Sequence, residues 1–345
     1  MKNLDPHIPT SAILELTYRC NHRCKFCFCP WDAPETARYP YEKGQELTLA
    51  QWKEVLDILK AQGVRALSLS GGEPLLREDL PDLLDAIRKD GTLNRDSKIV
   101  VISNGKAMSE DWLKRFKKYD VHLTLSLPGI AAFEELTGTD NAGGVLHWLS
   151  RAHEEGLTTT CNIPVTKKNL HELYETIGNA LLAGADMVLV NRFLVGGRGV
   201  ANRTELELSN KEINEMLDIA EEVLGKGKRR GYTGTEIPRC VITKGVEHYK
   251  SIGIGTLCGA AKTFLAVDPA GNLRVCNHSP FVVGHVFDKD FITDGAYWDR
   301  FLKSDYKPDF CRGCKDIERC DCGCREACHI VDGDLGACDN LLPLR

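Results

Sequence analysis

The sequence predicts an α/β fold, namely a partial (βα)6 TIM-like barrel followed by a small cysteine-rich C-terminal domain that contains a β-hairpin. Two observations support this prediction. Short apolar segments alternate with amphipathic helical segments from residue 11 to about residue 224. The 15 cysteines are also unevenly placed, and seven of them fall within residues 311–338. The first pattern is typical of βα units, and the second indicates a segment organised by bound metal.

Six predicted strands are short and almost continuously apolar, as expected for parallel strands that are buried on both faces. Six βα units in a row favour a parallel sheet with right-handed crossovers. In barrels of this kind, the chemistry lies at the carboxyl ends of the strands. The strands are predicted at residues 12–16, 64–69, 98–102, 121–127, 158–165 and 187–195.

The helices between these strands carry recognisable start signals. Thr48 with Gln51, and Ser209 with Glu212, have the spacing of a capping box. Two more N-cap residues are expected at Ser109 and Asn169.

The domain boundary is predicted where glycine and basic residues replace the helical pattern. We therefore expect a first domain over residues 1–225, a linker over 226–235 and a second domain over 236–345. Within the second domain, residues 264–267 and 273–275 are expected to form the hairpin, with a turn at 269–271. Residues 311–338 contain too few apolar side chains to bury a core, so bound metal would stabilise them.

Composition excludes several classes of function. The net charge of −5 argues against a sequence-independent nucleic-acid binder, which needs a basic surface. No apolar run is long enough to span a membrane, and the N-terminus lacks the apolar core of a signal peptide. We therefore expect a cytoplasmic protein with no membrane partner. In that compartment disulfides are disfavoured, so the cysteines are expected to bind metal.

Three cysteines follow the first predicted strand with the spacing C-x3-C-x2-C. Cys20, Cys24 and Cys27 can hold only three corners of a four-iron cluster, whose usual complement is four cysteines. The fourth iron would be an open coordination site, where a substrate or cofactor binds. The spacing alone also permits zinc.

These residues resemble the cluster loop of the radical S-adenosylmethionine (SAM) superfamily, with Phe26 before the third cysteine. After the second strand, Gly71-Gly72-Glu73-Pro74 is similar to the GGEP loop of that superfamily. The resemblance implies a [4Fe-4S] cluster that binds SAM, with the GGEP backbone contacting the methionine amino group. It further implies a 5'-deoxyadenosyl radical that abstracts a hydrogen atom from the substrate.

The resemblance also assigns other SAM-binding residues. Ser103, Asn104 and Ser126, near the ends of the third and fourth strands, are expected to reach the ribose hydroxyls. Arg192, on the sixth strand, is a candidate for binding the methionine carboxylate. Each of these residues has an alternative structural role, in strand-to-turn chemistry or as a partly buried arginine.

The C-terminal cysteines resemble the SPASM extension, whose members bind two auxiliary four-iron clusters. The resemblance assigns Cys311, Cys314, Cys320 and Cys338 to the distal cluster, and Cys258, Cys276 and Cys324 to the nearer one. Cys240 is our choice for the missing fourth ligand of the nearer cluster. Zinc is the alternative for these sites. Cys161 is expected to be a buried hydrophobe and Cys29 a loop thiol, whereas Cys322 and Cys328 could exchange with the distal ligands.

SPASM relatives mostly modify peptides or proteins, which implies a peptide-crosslinking or oxidising enzyme whose auxiliary clusters take up an electron. Its partners would include a flavodoxin- or ferredoxin-type reductant and, because the first strand begins at Ser11, a separate leader-binding protein. Two alternatives remain open. One is a radical SAM enzyme acting on a small molecule, such as a tetrapyrrole side chain or an aminocyclitol; the other is a non-catalytic iron–sulfur or zinc protein.

Candidate catalytic residues lie near the two cysteine-rich regions. Sulfatase-maturing relatives carry an aspartate base after the cysteine that matches Cys276, whereas this chain has Asn277, which disfavours that activity. His278 could act as a base near neutral pH. Trp31, Asp32 and Tyr41, in a long loop after the first cysteines, are expected to line the substrate mouth.

Overall fold

The computed structural model describes residues 8–89 and 99–342. The described strands form one sheet with the order β11-β10-β9-β1-β2-β3-β4-β5-β6-β7-β8. The strands are β1 (Ser11–Glu15), β2 (Ala66–Ser70), β3 (Ile99–Ser103), β4 (Val121–Ser126), β5 (Thr159–Val165), β6 (Met187–Arg192), β7 (Arg230–Tyr232), β8 (Ile252–Gly253), β9 (Phe264–Val267), β10 (Asn272–Arg274) and β11 (Gly284–His285).

Helices connect the parallel strands. They are α1 (Leu49–Ala61), α2 (Leu80–Lys89), α3 (Glu110–Lys118), α4 (Phe133–Thr137), α5 (Ala142–Glu154), α6 (Leu173–Leu182), α7 (Arg203–Leu206), α8 (Asn210–Gly227), α9 (Gly295–Leu302) and α10 (Arg325–Asp332). None of the described helices is both long and apolar enough to cross a membrane.

The predicted α/β class is confirmed, and β1 to β6 pair in parallel in chain order. The described strands form an open sheet with β11 and β8 at its two edges, and not a closed barrel. Residue 98, the first residue of the third predicted strand, lies outside the described residues. Alternate side chains of the inner strands enter one large core, including Leu14, Leu69, Val101 and Ile163, all of them fully buried.

The predicted hairpin forms, since β9 and β10 pair antiparallel. However, β9 also pairs in parallel with β1, from Ser11 opposite Phe264 to Leu14 opposite Val267. The C-terminal region therefore extends the sheet of the first domain, because the free edge of β1 offers unpaired backbone groups that β9 satisfies.

The segment predicted as a linker carries regular structure. Helix α8 continues to Gly227, and β7 then pairs in parallel with β6. The sheet is thus continuous through residues 226–235, and the division into two domains at this segment remains a prediction.

Helix-start signals are largely confirmed. Thr48 and Ser209 both form capping boxes, and the Ser109 side chain accepts a hydrogen bond from the Trp112 backbone. Asn169 does not cap a helix. Its side-chain amide instead donates to the carbonyls of Pro128 and Pro164, both at 2.8 Å, and so joins the carboxyl ends of β4 and β5.

Candidate functional site

Cys20, Cys24 and Cys27, here called the primary group, lie together in the loop after β1. Burial and the negative charges of Cys27 and Cys20 raise the pKa of the Cys24 thiol well above its ordinary value. Three thiols this close cannot all ionise unless a cation compensates their charge. A cluster of iron ions would supply that charge, and the donor set of the primary group fits it.

Helix α4 and its neighbours hold this loop by its backbone. Arg23 and Lys25 donate their backbone N–H groups to the carbonyls of Thr137 and Leu136, both at 2.8 Å. The ring of Phe26 packs against the small apolar cluster formed by Ala132, Leu136, Phe193, Val195 and Leu206. The cysteine loop is therefore fixed to α4 by its backbone and to the apolar cluster by the Phe26 side chain.

A glycine-rich segment after β6 contacts the primary group and was missed from the sequence. The Arg198 guanidinium donates to the Cys24 carbonyl at 2.9 Å and pairs with Asp32 at 2.8 Å. The Gly199 N–H donates to the Cys27 carbonyl at 3.1 Å. A Cβ at Gly197, whose φ is +47°, would lie 2.4 Å from the Cys29 carbonyl oxygen. The signal that was available is the Gly-Gly-Arg-Gly run at the carboxyl end of a predicted strand.

The predicted GGEP loop lies directly against the cysteine loop. The Gly72 N–H donates to the Thr17 carbonyl and the Glu73 N–H to the Arg19 carbonyl, each at 2.8 Å. A Cβ at Gly72 would lie 2.2 Å from the Arg19 carbonyl oxygen, so only glycine allows this approach. The two loops are thus joined backbone to backbone.

The Glu73 side chain connects the GGEP loop to the end of β3. Its fully buried carboxylate accepts hydrogen bonds from Ser103 Oγ at 2.9 Å and from the Asn104 backbone at 2.7 Å. Burial raises the pKa of Glu73 to about 7, although these hydrogen bonds oppose the shift. Ser103 therefore positions the loop through its hydroxyl, which also accepts from the Gly105 N–H.

Asn104 is the predicted cofactor residue that reaches the cysteine loop. Its side-chain amide donates to Asn21 Oδ1 at 2.7 Å and lies 3.7 Å from Cys20 Sγ. Ser126, half-buried at the end of β4, lies opposite Asn162 of β5 in the sheet. Asn162, which the sequence analysis missed, accepts a hydrogen bond from Asn191 on β6 at 3.0 Å.

Arg192 joins the C-terminal segment to the end of β6. Its guanidinium forms a buried ion pair with Asp339 at 2.6 Å and donates to the Asn340 side chain and to the Glu236 carbonyl. Each of its three nitrogens thus has a partner within the protein. Its role in binding the carboxylate of SAM stays a prediction.

Three of the C-terminal cysteines lie near one another. We call Cys258, Cys276 and Cys324 the inner group. Burial raises the pKa of the Cys258 thiol, and nearby negative charges, including those of Cys276 and Cys324, raise it further. Cys276 and Cys324 are only 8% and 7% exposed. The inner group is therefore nearly closed to solvent.

Cys240 lies near three of the cysteines predicted for the distal cluster. Burial raises the pKa of its thiol, and the negative charges of Cys320, Cys311 and Cys314 raise it further. The backbone N–H of the preceding residue, Arg239, donates to Cys320 Sγ at 3.5 Å. We therefore group Cys240 with these cysteines, whereas its role as the fourth ligand of the nearer cluster stays a prediction. Cys240, Cys311, Cys314 and Cys320 are here called the outer group.

Two further cysteines complete the account of the outer region. Cys322 donates a hydrogen bond to Cys320, which lowers the pKa of Cys320 to about 6, and it also contacts Cys311. Cys338, predicted as a distal ligand, lines a cleft with Arg192 and Cys328. The ligands of a four-iron cluster bind different irons, so they need not meet around one ion. Among the described residues, no three His, Cys, Asp or Glu side chains could hold a single metal ion.

The catalytic candidates have structural partners. His278 is buried between the Val195 carbonyl, 2.8 Å from Nε2, and Cys324 Sγ, 3.5 Å from Nδ1. Burial lowers the pKa of His278 to about 4, so the ring is neutral near pH 7.

The long loop after the primary group is joined to the hairpin. The Tyr41 hydroxyl donates to the Asp268 carboxylate, and burial followed by the Asp268 charge raises the pKa of Tyr41. The rings of Tyr41 and Trp31 both lie over the Arg274 guanidinium, at 5.6 and 5.7 Å. These residues connect the primary group to β10.

Comparisons with known proteins agree with this site. Residues 14–179 match the model of the radical SAM superfamily. PqqA peptide cyclase of Xanthomonas campestris pv. campestris (strain B100) is 26% identical over 346 residues, which cover 96% of this chain and 86% of that protein. PqqA peptide cyclase of Granulibacter bethesdensis is 24% identical over 98% of this chain and 88% of that protein.

Two solved structures share the fold. Streptococcus suis SuiB bound to its precursor peptide SuiA has a TM-score of 0.70 at 17% identity and covers 97% of this chain and 76% of that one. The anSMEcpe structure with bound AdoMet and the Cp18Cys peptide has a TM-score of 0.69 at 17% identity. It covers 93% of this chain and 90% of that one. Residues 14–179, which contain the primary group and the GGEP loop, are therefore identified as a radical SAM domain.

Proposed function

We propose that this chain is a radical SAM enzyme that modifies a peptide or protein by hydrogen-atom abstraction, followed by crosslinking or oxidation. The observation that carries this proposal is the similarity to PqqA peptide cyclases, which extends over 96% of the chain. The peptide-bound titles of two structures with the same fold support the substrate class.

The residues of the site have distinct roles in this proposal. Cys20, Cys24 and Cys27 would hold the [4Fe-4S] cluster, and Arg198 orients their loop through the Cys24 carbonyl. Glu73 fixes the ends of β2 and β3 relative to that loop. When bound, the cluster and SAM supply a 5'-deoxyadenosyl radical. The protein contributes position and exclusion of water.

The GGEP loop and the polar strand ends would bind SAM. The backbone of Gly71–Pro74 would face the methionine amino group, while Asn104 and Ser126 would face the ribose. Phe26 lies between the cysteine loop and the apolar cluster, where a planar ring system could stack on it. Arg192, which is buried in its ion pair with Asp339, is proposed to hold the C-terminal segment against β6 in place of its predicted role in SAM binding.

The inner and outer groups would each hold an auxiliary iron–sulfur cluster. The donor chemistry supports this, since each brings together three or more thiols whose charges oppose one another. Their role would be to take up the electron that an oxidised substrate radical releases. A flavodoxin- or ferredoxin-type reductant and a separate leader-binding protein are the expected partners.

The test is anaerobic incubation of the reconstituted enzyme with SAM, dithionite and peptides encoded beside its gene. We expect 5'-deoxyadenosine to form and one peptide to lose two hydrogens, as mass spectrometry would report. The matched control omits SAM. Formation of 5'-deoxyadenosine with every neighbouring peptide unchanged would favour a small-molecule substrate. Absence of 5'-deoxyadenosine under all conditions would contradict the enzymatic proposal.

A further inference from the structure

Four side chains near the carboxyl ends of β4 to β7 form one row across the sheet. In the parallel register, Ser126 lies opposite Asn162, which lies opposite Leu189. Leu189 in turn lies opposite Tyr232 of β7. Side chains paired in this register point to the same face of the sheet. We call these four residues the β4–β7 row.

The row lies on the face of the sheet that points away from the large core. The alternate residues of β5 and β6, which point to the other face, are fully buried in that core: Cys161, Ile163, Val188 and Val190. The first three members of the row are only half-buried, and Tyr232 is 41% exposed. The row is therefore a surface that a ligand could contact.

Hydrogen bonds fix which end of the Asn162 amide points outward. The Gly234 N–H can only donate, and it donates to Asn191 Oδ1 at 2.7 Å. Asn191 must then use its Nδ2, which donates to Asn162 Oδ1 at 3.0 Å. The Asn162 Nδ2 is left over, and within residues 8–89 and 99–342 it has no hydrogen-bond partner. Its two N–H groups suit an oxygen acceptor such as a carbonyl.

The dimensions of the row fit a short stretch of extended peptide. Neighbouring strands lie about 4.8 Å apart, so the row spans about 14 Å from β4 to β7. An extended chain advances about 3.3 Å per residue, so this length corresponds to about four residues. The row combines one fixed amide donor with two apolar side chains, Leu189 and Tyr232. A peptide supplies both the carbonyl oxygens and the side chains that such a surface binds.

The position of the row also favours a peptide. Ser126, at one end, is the residue proposed to face the ribose of SAM, so a ligand on the row would lie next to the place of hydrogen abstraction. At the other end, β7 is followed in the sheet only by the two-residue strand β8. The row thus runs from the proposed SAM site to the edge of the sheet, where a chain can enter from solvent.

We propose that the β4–β7 row binds an extended segment of the substrate peptide. Asn162 Nδ2 donates to a main-chain carbonyl oxygen of that segment, while Leu189 and Tyr232 pack against one of its apolar side chains. Asn191 is a positioning residue, because it acts on the peptide only through Asn162. The inference rests on the proposed function, since it names where the peptide of that function binds.

The test measures binding to the full chain, with fluorescently labelled synthetic copies of the peptides encoded beside its gene as probes. The row is changed by Tyr232→Ala, Asn162→Ala and Asn191→Ala. Matched controls on α6 are Tyr174→Ala, which removes a tyrosine that is 44% exposed, and Asn179→Ala, which removes a helical amide. Fluorescence anisotropy gives the Kd for the peptide, and equilibrium dialysis gives the Kd for SAM. Thermal unfolding checks that each variant folds.

We expect Tyr232→Ala to weaken peptide binding at least about fivefold, the effect of losing an aromatic anchor. Asn162→Ala should weaken it about 2- to 12-fold, the range for one neutral hydrogen bond. Asn191→Ala should have no larger effect than Asn162→Ala, and combining the two should add nothing, because both act through the same amide. The two control variants should bind the peptide as the unmodified enzyme does.

Three outcomes would overturn the proposal. One is unchanged peptide affinity in folded Tyr232→Ala and Asn162→Ala proteins. Another is failure of every probe peptide to bind the unmodified enzyme. The third is a larger loss of affinity for SAM than for the peptide, which would assign the row to SAM. Formation of 5'-deoxyadenosine by the unmodified enzyme depends on none of these outcomes, so failure of this inference is distinguishable from failure of the proposed function.

Discussion

The primary group and the inner group use the same residue type in opposite environments. Cys20 is exposed to solvent, whereas Cys276 and Cys324 are almost completely buried. Backbone contacts from several strand ends hold the primary loop, and Arg198 supplies a guanidinium beside it. An accessible site suits a cofactor that enters and leaves, while a closed site suits a cluster that only exchanges electrons.

The outer group adds a third environment, because Cys240 and Cys314 are exposed. Exposure therefore falls from the primary group to the inner group and rises again at the outer group. In the proposed function, this order would protect the middle cluster from solvent while leaving both ends accessible, one to SAM and the other to an electron-transfer partner.

The largest expected effect comes from Cys24→Ala, which removes one ligand of the primary group and leaves the other groups intact. We expect no 5'-deoxyadenosine from this variant, measured by liquid chromatography with mass spectrometry. The absorbance of the auxiliary clusters should persist. Turnover comparable to that of the unmodified enzyme would contradict the assignment of the primary group.

Arg198→Lys tests how the primary loop is held. Lysine keeps the charge but cannot contact the Cys24 carbonyl and Asp32 with a planar fork. We expect the rate of 5'-deoxyadenosine formation to fall about 10- to 100-fold, the range seen when residues that support a metal site are lost. Arg203→Lys, at a half-exposed pair with Glu207, is the control and should retain its rate. Equal rates for both variants would show that Arg198 does not support the primary group.

Glu73→Gln tests the buried carboxyl that joins β2 to β3. Its pKa is about 7 in the folded chain, against an ordinary 4.5, so the folded state keeps its proton to higher pH. The free energy of unfolding should therefore fall as pH rises from about 4.5 to about 7. The loss is about 3 kcal/mol at most, since one pKa unit corresponds to about 1.4 kcal/mol.

The measurement is chemical denaturation of the unmodified protein and of Glu73→Gln across that pH range, at matched iron content. The glutamine variant should show a flatter dependence on pH, because it has no proton to lose. Identical slopes for the two proteins would show that Glu73 is not the titrating group.

Tyr41→Phe gives the smallest expected effect. It removes the hydroxyl that donates to Asp268 and should lower the free energy of unfolding by about 1.5–3 kcal/mol, since a hydrogen bond to a charged group is lost, while the Asp268 carboxylate still accepts from Asn272 Nδ2 at 2.8 Å. If Tyr41 only joins the loop to the hairpin, turnover at saturating substrate stays unchanged. A rise in KM for the peptide without a change in stability would instead support the predicted position of Tyr41 at the substrate mouth.

Much of the fold could be predicted because β1 to β6 are buried on both faces and leave a clear apolar pattern. Strands β7 and β8 could not, since they have three and two residues and include the exposed Tyr232. They form because the edge of β6 offers a template. The parallel pairing of β9 with β1 joins residues about 250 positions apart, which no local pattern encodes.

The candidate site could likewise be predicted only in part from the sequence. The primary group and the GGEP loop are visible as short motifs, because their residues must be close along the chain. The partners of Cys240 and Arg192 depend on how distant segments pack, so the local sequence does not indicate them. The contact between Arg198 and the cysteine loop is also tertiary, although the glycines around it gave a local signal.

The parallel pairing of β9 with β1 couples the two cysteine-containing regions mechanically. Strand β1 leads directly into the primary group, and β10, next to β9, leads directly into Cys276. A displacement of one cysteine-containing region would thus be transmitted through adjacent strands to the other. The C-terminal region is consequently not a detachable module: a chain shortened before residue 236 would leave the β1 edge bare and prone to self-association. Any engineered exchange of this region between relatives would have to carry its own matching strand.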